Sequence, residues 1–376
     1  MAHALILATS GISGWSLLNQ ARIYPTPTTF PRITGTTNRP FTLKQAHIPE
    51  DDRVKIAPGI DFTESVEEVV RALKEKVPDI NTVTHVFFTA YIQTNHFETL
   101  KKVNTKLLEV AVRAIEAVSP RLKVVVLQTG GKGYGLEFPK EKLTPAFLSP
   151  GPAISSTTPS TNLLKELSRG KPWTFSEIRP DGIVGFAPTN SAMNMAQGIA
   201  IYHTIYREVK GAGAAVPFPG REHGYYSTHS DTFQDILSKM EIYAALNPDK
   251  CGGGGVFNVA DGKAAAWAEV WPRLAEHFGI IGTGPATGTD KKSMEEFVKE
   301  NRAAWSALAK KHGIKEEIVD QQGWGHTHFM LVDFDFDRQY DLSRSREVGF
   351  SEEIDTVEGY IKAWERMRDA KILPTL

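Results

Sequence analysis

The residues with the clearest chemical potential lie near the start of the chain. Ala8-Thr9-Ser10-Gly11-Ile12-Ser13-Gly14 follows a short apolar run and precedes a segment of helical periodicity. Glycines at such a junction let the backbone approach a pyrophosphate, which then rests on the positive end of the helix. Gly11, Ile12, Ser13 and Gly14 are the candidate contacts, with Ala8 where the usual pattern has its first glycine. A site of the NAD type places an acid at the end of the second strand for the ribose 2′-OH, yet residues 1–49 hold no Asp or Glu. Arg39, in Thr37-Asn38-Arg39-Pro40, is instead suited to a 2′-phosphate. The pattern points to NADPH/NADP+ over NAD(H).

Other polar groupings read differently. His223, Tyr225, Tyr226 and His229 fall on an expected loop and are candidates for lining a substrate pocket. His326 and His328, expected on a strand, could project the same way toward a metal, but no third ligand is evident and no metal site is expected. Gly252 to Gly255 lacks the Lys-Ser/Thr of a phosphate-binding loop and reads as a turn. No G-x-S-x-G elbow of a serine hydrolase occurs.

The hydrophobic pattern supplies the frame. Ala4 to Leu7 is a buried-strand signal, followed by a helix expected at 12–22 and stopped by Pro25 and Pro27. Short strands are expected at 32–34 and 54–56. Val66, Val69, Val70, Leu73 and Val77 have helical spacing, opened by a Ser65/Glu68 capping box. A strand at 83–88, a long helix at 97–118 and a strand at 123–128 follow, and 174–178 and 183–186 are expected to resume the sheet. Such alternation predicts an α/β fold, a Rossmann-type doubly wound parallel sheet. The chain divides into an NADP(H)-binding Rossmann domain at 1–189 and a mostly helical substrate-side lobe at 190–376, with some strands returning to the core. A Pro/Ser/Thr-rich stretch at 145–161 is a loop or lid.

Composition narrows the function classes. With 43 Lys+Arg against 44 Asp+Glu, the net charge of −1 gives no electrostatic case for nucleic acid or an anionic membrane. The single cysteine, Cys251, excludes an internal disulfide framework and a cysteine zinc site. No apolar run approaches the ~18 residues of a membrane span, and Ala4 to Ala8 is too short for a signal peptide. A cytoplasmic protein without membrane insertion is expected, with a homodimer left open.

Several segments together resemble the progesterone 5β-reductase and iridoid synthase-like (PRISE) family of atypical extended short-chain dehydrogenases. They are A-T-S-G-I-S-G from Ala8, T-N-R-P from Thr37, H-V-F-F-T-A from His85, L-Q-T-G-G-K-G-Y-G from Leu127 and R-P-D-G-I-V-G-F-A-P from Arg179. F-N-V-A-D-G from Phe257, W-P-R-L-A-E-H-F-G from Trp271 and S-R-E-V-G-F from Ser345 follow in family order. The resemblance implies a Rossmann core, NADPH, and reduction of carbonyls or activated C=C bonds in small lipophilic molecules of secondary metabolism. It further implies Asn38 and Arg39 at the 2′-phosphate and Asp61 near adenine. Thr89 and Ala90 would flank the ribose, Thr129 and Lys132 the nicotinamide ribose, and Ile183 the carboxamide. Lys132 is the retained catalytic cation, and Tyr91 is assigned to the substrate side.

One segment departs from the family. Members carry a tyrosine pair in a pattern like N-F-Y-Y-x-x-E-D-x-L, one tyrosine being catalytic. Here the stretch from Ser155 reads S-S-T-T-P-S-T-N-L-L, so Thr157 and Thr158 stand at the tyrosine positions, on the substrate side. A threonine hydroxyl cannot act as a general acid near neutral pH. Tyr134 is the phenol nearest in sequence to Lys132 and enters the catalytic candidates with it. The expectation is an NADP(H)-dependent reductase of an enone or carbonyl on a bulky apolar molecule. A non-redox isomerase or cyclase built on the same fold, or a non-catalytic NADP-binding protein, are the alternatives.

Overall fold

The computed structural model describes residues 1–94, 96–134, 158–189, 191–287 and 292–375. Seven parallel strands form the central sheet: β1 (His3–Leu7), β2 (Arg32–Thr37), β3 (Val54–Pro58), β4 (His85–Phe88), β5 (Val124–Gln128), β6 (Thr174–Pro180) and β11 (Gly255–Val259). Their order is β11-β6-β5-β4-β1-β2-β3. The chain therefore runs outward from β1 to β3, then crosses back to β4 on the other side of β1. This reversal opens a crevice at the carboxyl ends of β1 and β4, where doubly wound sheets bind ligands.

Strand alternation assigns the helices to two faces. Ala4 and Ile6 of β1 and Val124 and Val126 of β5 face one core, with Trp15, Leu17 and Leu18 of α1 (Ile12–Gln20). Leu5, Leu7, Val125 and Leu127 face the other, against α2 (Val66–Lys76), α3 (Phe97–Val118) and α4 (Pro159–Leu167). The Ser65/Glu68 capping box opens α2 as expected, and α3 has the expected bounds. Beyond the sheet lie α5 (Met195–Lys210), α6 (Glu222–Tyr226) and α7 (Gln234–Leu246), with α7 packed beside α1. Three short ladders complete the strands: β7 (Gly182–Val184) with β10 (Asp231–Phe233), β8 (Ala215–Pro217) with β13 (Ile281–Thr283), and β9 (Thr228–His229) with β12 (Ala265–Ala266).

Three local expectations are corrected. The segment at 183–186 does not rejoin the main sheet: Gly182–Val184 turns away from β6 and pairs with β10, and at the turn Asp181 pairs with Arg338 at 2.7 Å while its N–H donates to the Thr232 hydroxyl at 3.1 Å. Residues 223–229 are not a loop but α6 followed by β9. His326 and His328 lie on a helix, Trp324–His328, where a two-residue spacing puts them on different sides. Among the described residues no group of three or more His, Cys, Asp or Glu could hold a metal ion. No described helix is long and apolar enough to cross a membrane. The stretch at 145–161 lies outside the described residues up to 157, and its last residues open α4.

One core position works against stability. Glu241 on α7 is buried, and neither carboxyl oxygen has a hydrogen-bond partner among the described residues. Burial pushes its carboxyl well above the usual range. A group with a raised folded-state pKa keeps its proton while the unfolded chain releases one, so stability is lost as pH rises above the unfolded value. Glu241→Leu is expected to raise stability by about 1–3 kcal/mol at around pH 8, with a smaller gain near pH 4. Urea unfolding at both pH values checks this; a variant less stable at the higher pH overturns it.

Candidate active site

The glycine turn closes tightly on itself. The Gly11 N–H donates to the Ala8 carbonyl at 3.0 Å, and Thr9 anchors the turn to β2 through its N–H and hydroxyl, both on the Thr36 carbonyl. Ala8 adopts φ +60°, a left-handed conformation in which a Cβ is crowded. A Cβ on Gly14 would lie 2.4 Å from the Ala8 carbonyl oxygen, so only glycine lets α1 pass under the turn. A Cβ on Gly11 would meet that same oxygen at 3.5 Å and nothing else within 4 Å, which leaves the outer face open. No side chain caps α1, and its first turn holds no acid. Its leading N–H groups and the open turn fit a pyrophosphate.

The flanking candidates gather round this turn to differing degrees. Ile12 and Ser13 are buried in the first turn of α1, and Gln128 at the end of β5 donates to the Ser13 hydroxyl at 2.9 Å. Thr89, just past β4, donates to the Leu7 carbonyl at 2.7 Å, which sets Ala90 and Tyr91 beside β1. Thr189 donates to the Ser10 carbonyl at 2.9 Å, folding the chain after β7 back over the turn. Ile183, half-buried on β7, packs against the core on the α1 side of the sheet.

At the end of β2, Asn38 and Arg39 are exposed, and Thr37 donates to the Arg39 carbonyl at 2.7 Å. The Arg39 guanidinium has no partner among the described residues. Asn38 donates to Asp61 at 3.0 Å. Burial pushes the Asp61 carboxyl up, but hydrogen bonds from Thr63 and Asn38 outweigh it and hold the group below its usual range.

Lys132 lies on a short turn after β5, Gly131–Tyr134, and its ammonium donates to the Tyr91 phenol at 2.7 Å while standing 5.3 Å from the ring centroid. It has no carboxylate partner among the described residues. Beneath it runs a buried network. Thr129 donates to Glu177 at 2.7 Å, Thr161 donates to the other carboxylate oxygen, and Arg179 pairs with Glu177 at 2.7 Å. Tyr134 belongs to this network. It is buried, it donates to Asn258 at 2.6 Å, and Arg179 stacks on its ring, so its phenol is turned from the crevice. Burial pushes that phenol above its usual pKa despite Arg179 nearby.

The substrate-side candidates separate. Thr158 caps α4, its hydroxyl engaged with the Thr161 N–H and hydroxyl; Thr157 lies outside the described residues. Tyr225 is buried against Phe218 within the aromatic core, whereas His223 and Tyr226 are exposed. His229 is buried and stacks on Trp267 at 4.5 Å.

The sequence did not point to His326 as part of this site. It is half-buried, and burial, followed by the fields of Lys132 and Arg338, pushes its imidazole down to about 4. It is therefore neutral at pH 7 and within reach of the Lys132 charge. Only the fold brings positions so far apart in sequence together.

Comparison with known proteins bears on the fold and the family. The chain is 33% identical to the short chain dehydrogenase sirQ of Leptosphaeria maculans, covering 100% of this chain and 98% of the relative. It is 24% identical to the (S)-8-oxocitronellyl enol synthase of Catharanthus roseus, covering 99% and 92%. Among solved structures it resembles the Bordetella bronchiseptica enzyme WbmF in complex with NAD+, at a TM-score of 0.56 and 16% identity over 98% of this chain and 93% of that one. A family model described as the PRISE-like Rossmann-fold domain matches residues 4–374, and the chain belongs to that family.

Proposed function

We propose that the protein is an NADP(H)-dependent reductase acting on an enone or carbonyl of a bulky apolar small molecule. The observation that carries this reading is the Lys132 ammonium, without a carboxylate partner among the described residues, at the carboxyl end of β5 near the open glycine turn. A cation that no carboxylate neutralises can stabilise the negative charge that develops on a substrate oxygen. The cofactor, when bound, supplies the hydride. Gly11, Ile12, Ser13 and Gly14 would hold its pyrophosphate, Arg39 its 2′-phosphate, and Thr129 and Lys132 its nicotinamide ribose. The WbmF complex contains NAD+, which supports a nicotinamide dinucleotide in this fold.

Fluorescence titration with NADPH and NADH tests the cofactor half. Wild type is expected to prefer NADPH, and Arg39→Ala to weaken NADPH alone by roughly 10- to 100-fold, the worth of a charge-assisted contact. Equal affinity for both dinucleotides, unchanged in the variant, would remove Arg39 from the site.

A further inference from the structure

We infer that Tyr91 is a catalytic residue, the proton donor to the substrate oxygen. The inference rests on the reductase reading above. Three observations carry it. Tyr91 directly follows Thr89 and Ala90, just past the carboxyl end of β4, so it stands at the crevice where the strand order reverses. Its phenol oxygen accepts from Lys132 at 2.7 Å, while its own proton has no acceptor among the described residues. Its side chain is also open, at 41% exposure.

The other phenol near Lys132 in sequence is spent, since Tyr134 donates to Asn258. Thr158, at one of the two positions where the family resemblance leads one to expect tyrosine, is occupied as a helix cap. Tyr91 thus combines a free proton, an ammonium partner and access to the crevice.

The step balances. A hydride reaches the carbonyl carbon or the β-carbon of the enone, and the electron pair moves to the substrate oxygen. That oxygen takes the Tyr91 proton, forming an O–H bond as the tyrosine O–H breaks. The tyrosinate left behind keeps Lys132 as its partner until water reprotonates it. The net change is one hydride from the reduced cofactor and one proton from solvent.

Two variants, Tyr91→Phe and Lys132→Met, test the assignment by three readouts. NADPH affinity by fluorescence should stay within threefold of wild type in Tyr91→Phe. With NADPH and 2-cyclohexenone as probe, kcat of that variant should fall about 100-fold with little change in KM. Labelling by an aryl sulfonyl fluoride, mapped by mass spectrometry, should mark Tyr91 in the wild type and fall at least tenfold there in Lys132→Met. Label at Tyr226, which is more exposed at 65%, should be unaffected by that change. A kcat within threefold of wild type in Tyr91→Phe, or Tyr91 labelling indifferent to Lys132, overturns the proton-donor role. Failure of the wild type to bind NADPH overturns instead the reading beneath it.

Discussion

Lys132→Met is expected to lower kcat/KM by about 1,000-fold while leaving the fold intact. Removing one donor aimed at a developing oxyanion costs about 100- to 1,000-fold, and this ammonium is also the expected partner of the nicotinamide ribose. The upper end of that range is therefore the expectation. Stability should change by no more than ~0.5 kcal/mol, because the side chain is exposed and has no carboxylate partner among the described residues. NADPH consumption with an enone probe, beside urea unfolding of the same preparations, separates the two effects. A loss smaller than tenfold would show that the oxygen is stabilised elsewhere. A large loss of stability would mean that Lys132 is structural.

How far that site could be read in advance depended on whether its contacts were local. The glycine turn was legible because strand, turn and helix are consecutive, and Gly14 is required by the Ala8 carbonyl only six residues away. The capping box at Ser65 and Glu68 is equally local, and it appeared where expected. The Lys132–Tyr91 contact joins residues 41 apart in sequence, across the ends of neighbouring strands, and no spacing rule encodes it. The two histidines of W-G-H-T-H-F were misread for a related reason. Five residues carry too little periodicity to distinguish a strand from one helical turn, and packing decides. At 183–186 the apolar run suggested continuation of the sheet, but the segment pairs with β10, and Asp181 at its start is held by Arg338, 157 residues away, contacts that no local pattern encodes.

That same ion pair yields the second large effect. Arg338→Met is expected to destabilise the protein by about 3–5 kcal/mol, the usual result of stripping one partner from a buried pair. Arg338 and Asp181 are almost fully buried, and Arg338 Nε donates to the carboxylate at 2.7 Å. Burial pushes the Asp181 carboxyl upward, and the guanidinium pulls it back toward ionisation. Asp231, also buried, lies within the field of the same guanidinium and accepts from Tyr360 at 3.1 Å. The variant would leave two buried carboxyls without their cation. Backbone contacts to Thr228 and Ser230 remain, so the loss should show as a lower urea midpoint rather than as a different fold. Adding Asp181→Leu should recover a large part of the loss, since an apolar pair of similar volume often matches a buried ion pair. A single variant within ~1 kcal/mol of wild type would show that water reaches this pair.

The place of β11 in the sheet has a consequence for the nascent chain. β6 is complete once residue 180 has been synthesised, yet its outer neighbour does not exist until residue 259. At ribosomal speeds of about 5–20 residues per second, that interval lasts on the order of ten seconds. Throughout it β6 offers a bare edge of unpaired N–H and C=O groups, a template for strands of other chains. Slow codons between these two points would prolong that exposure, and a chaperone that shields strand edges would act most usefully there.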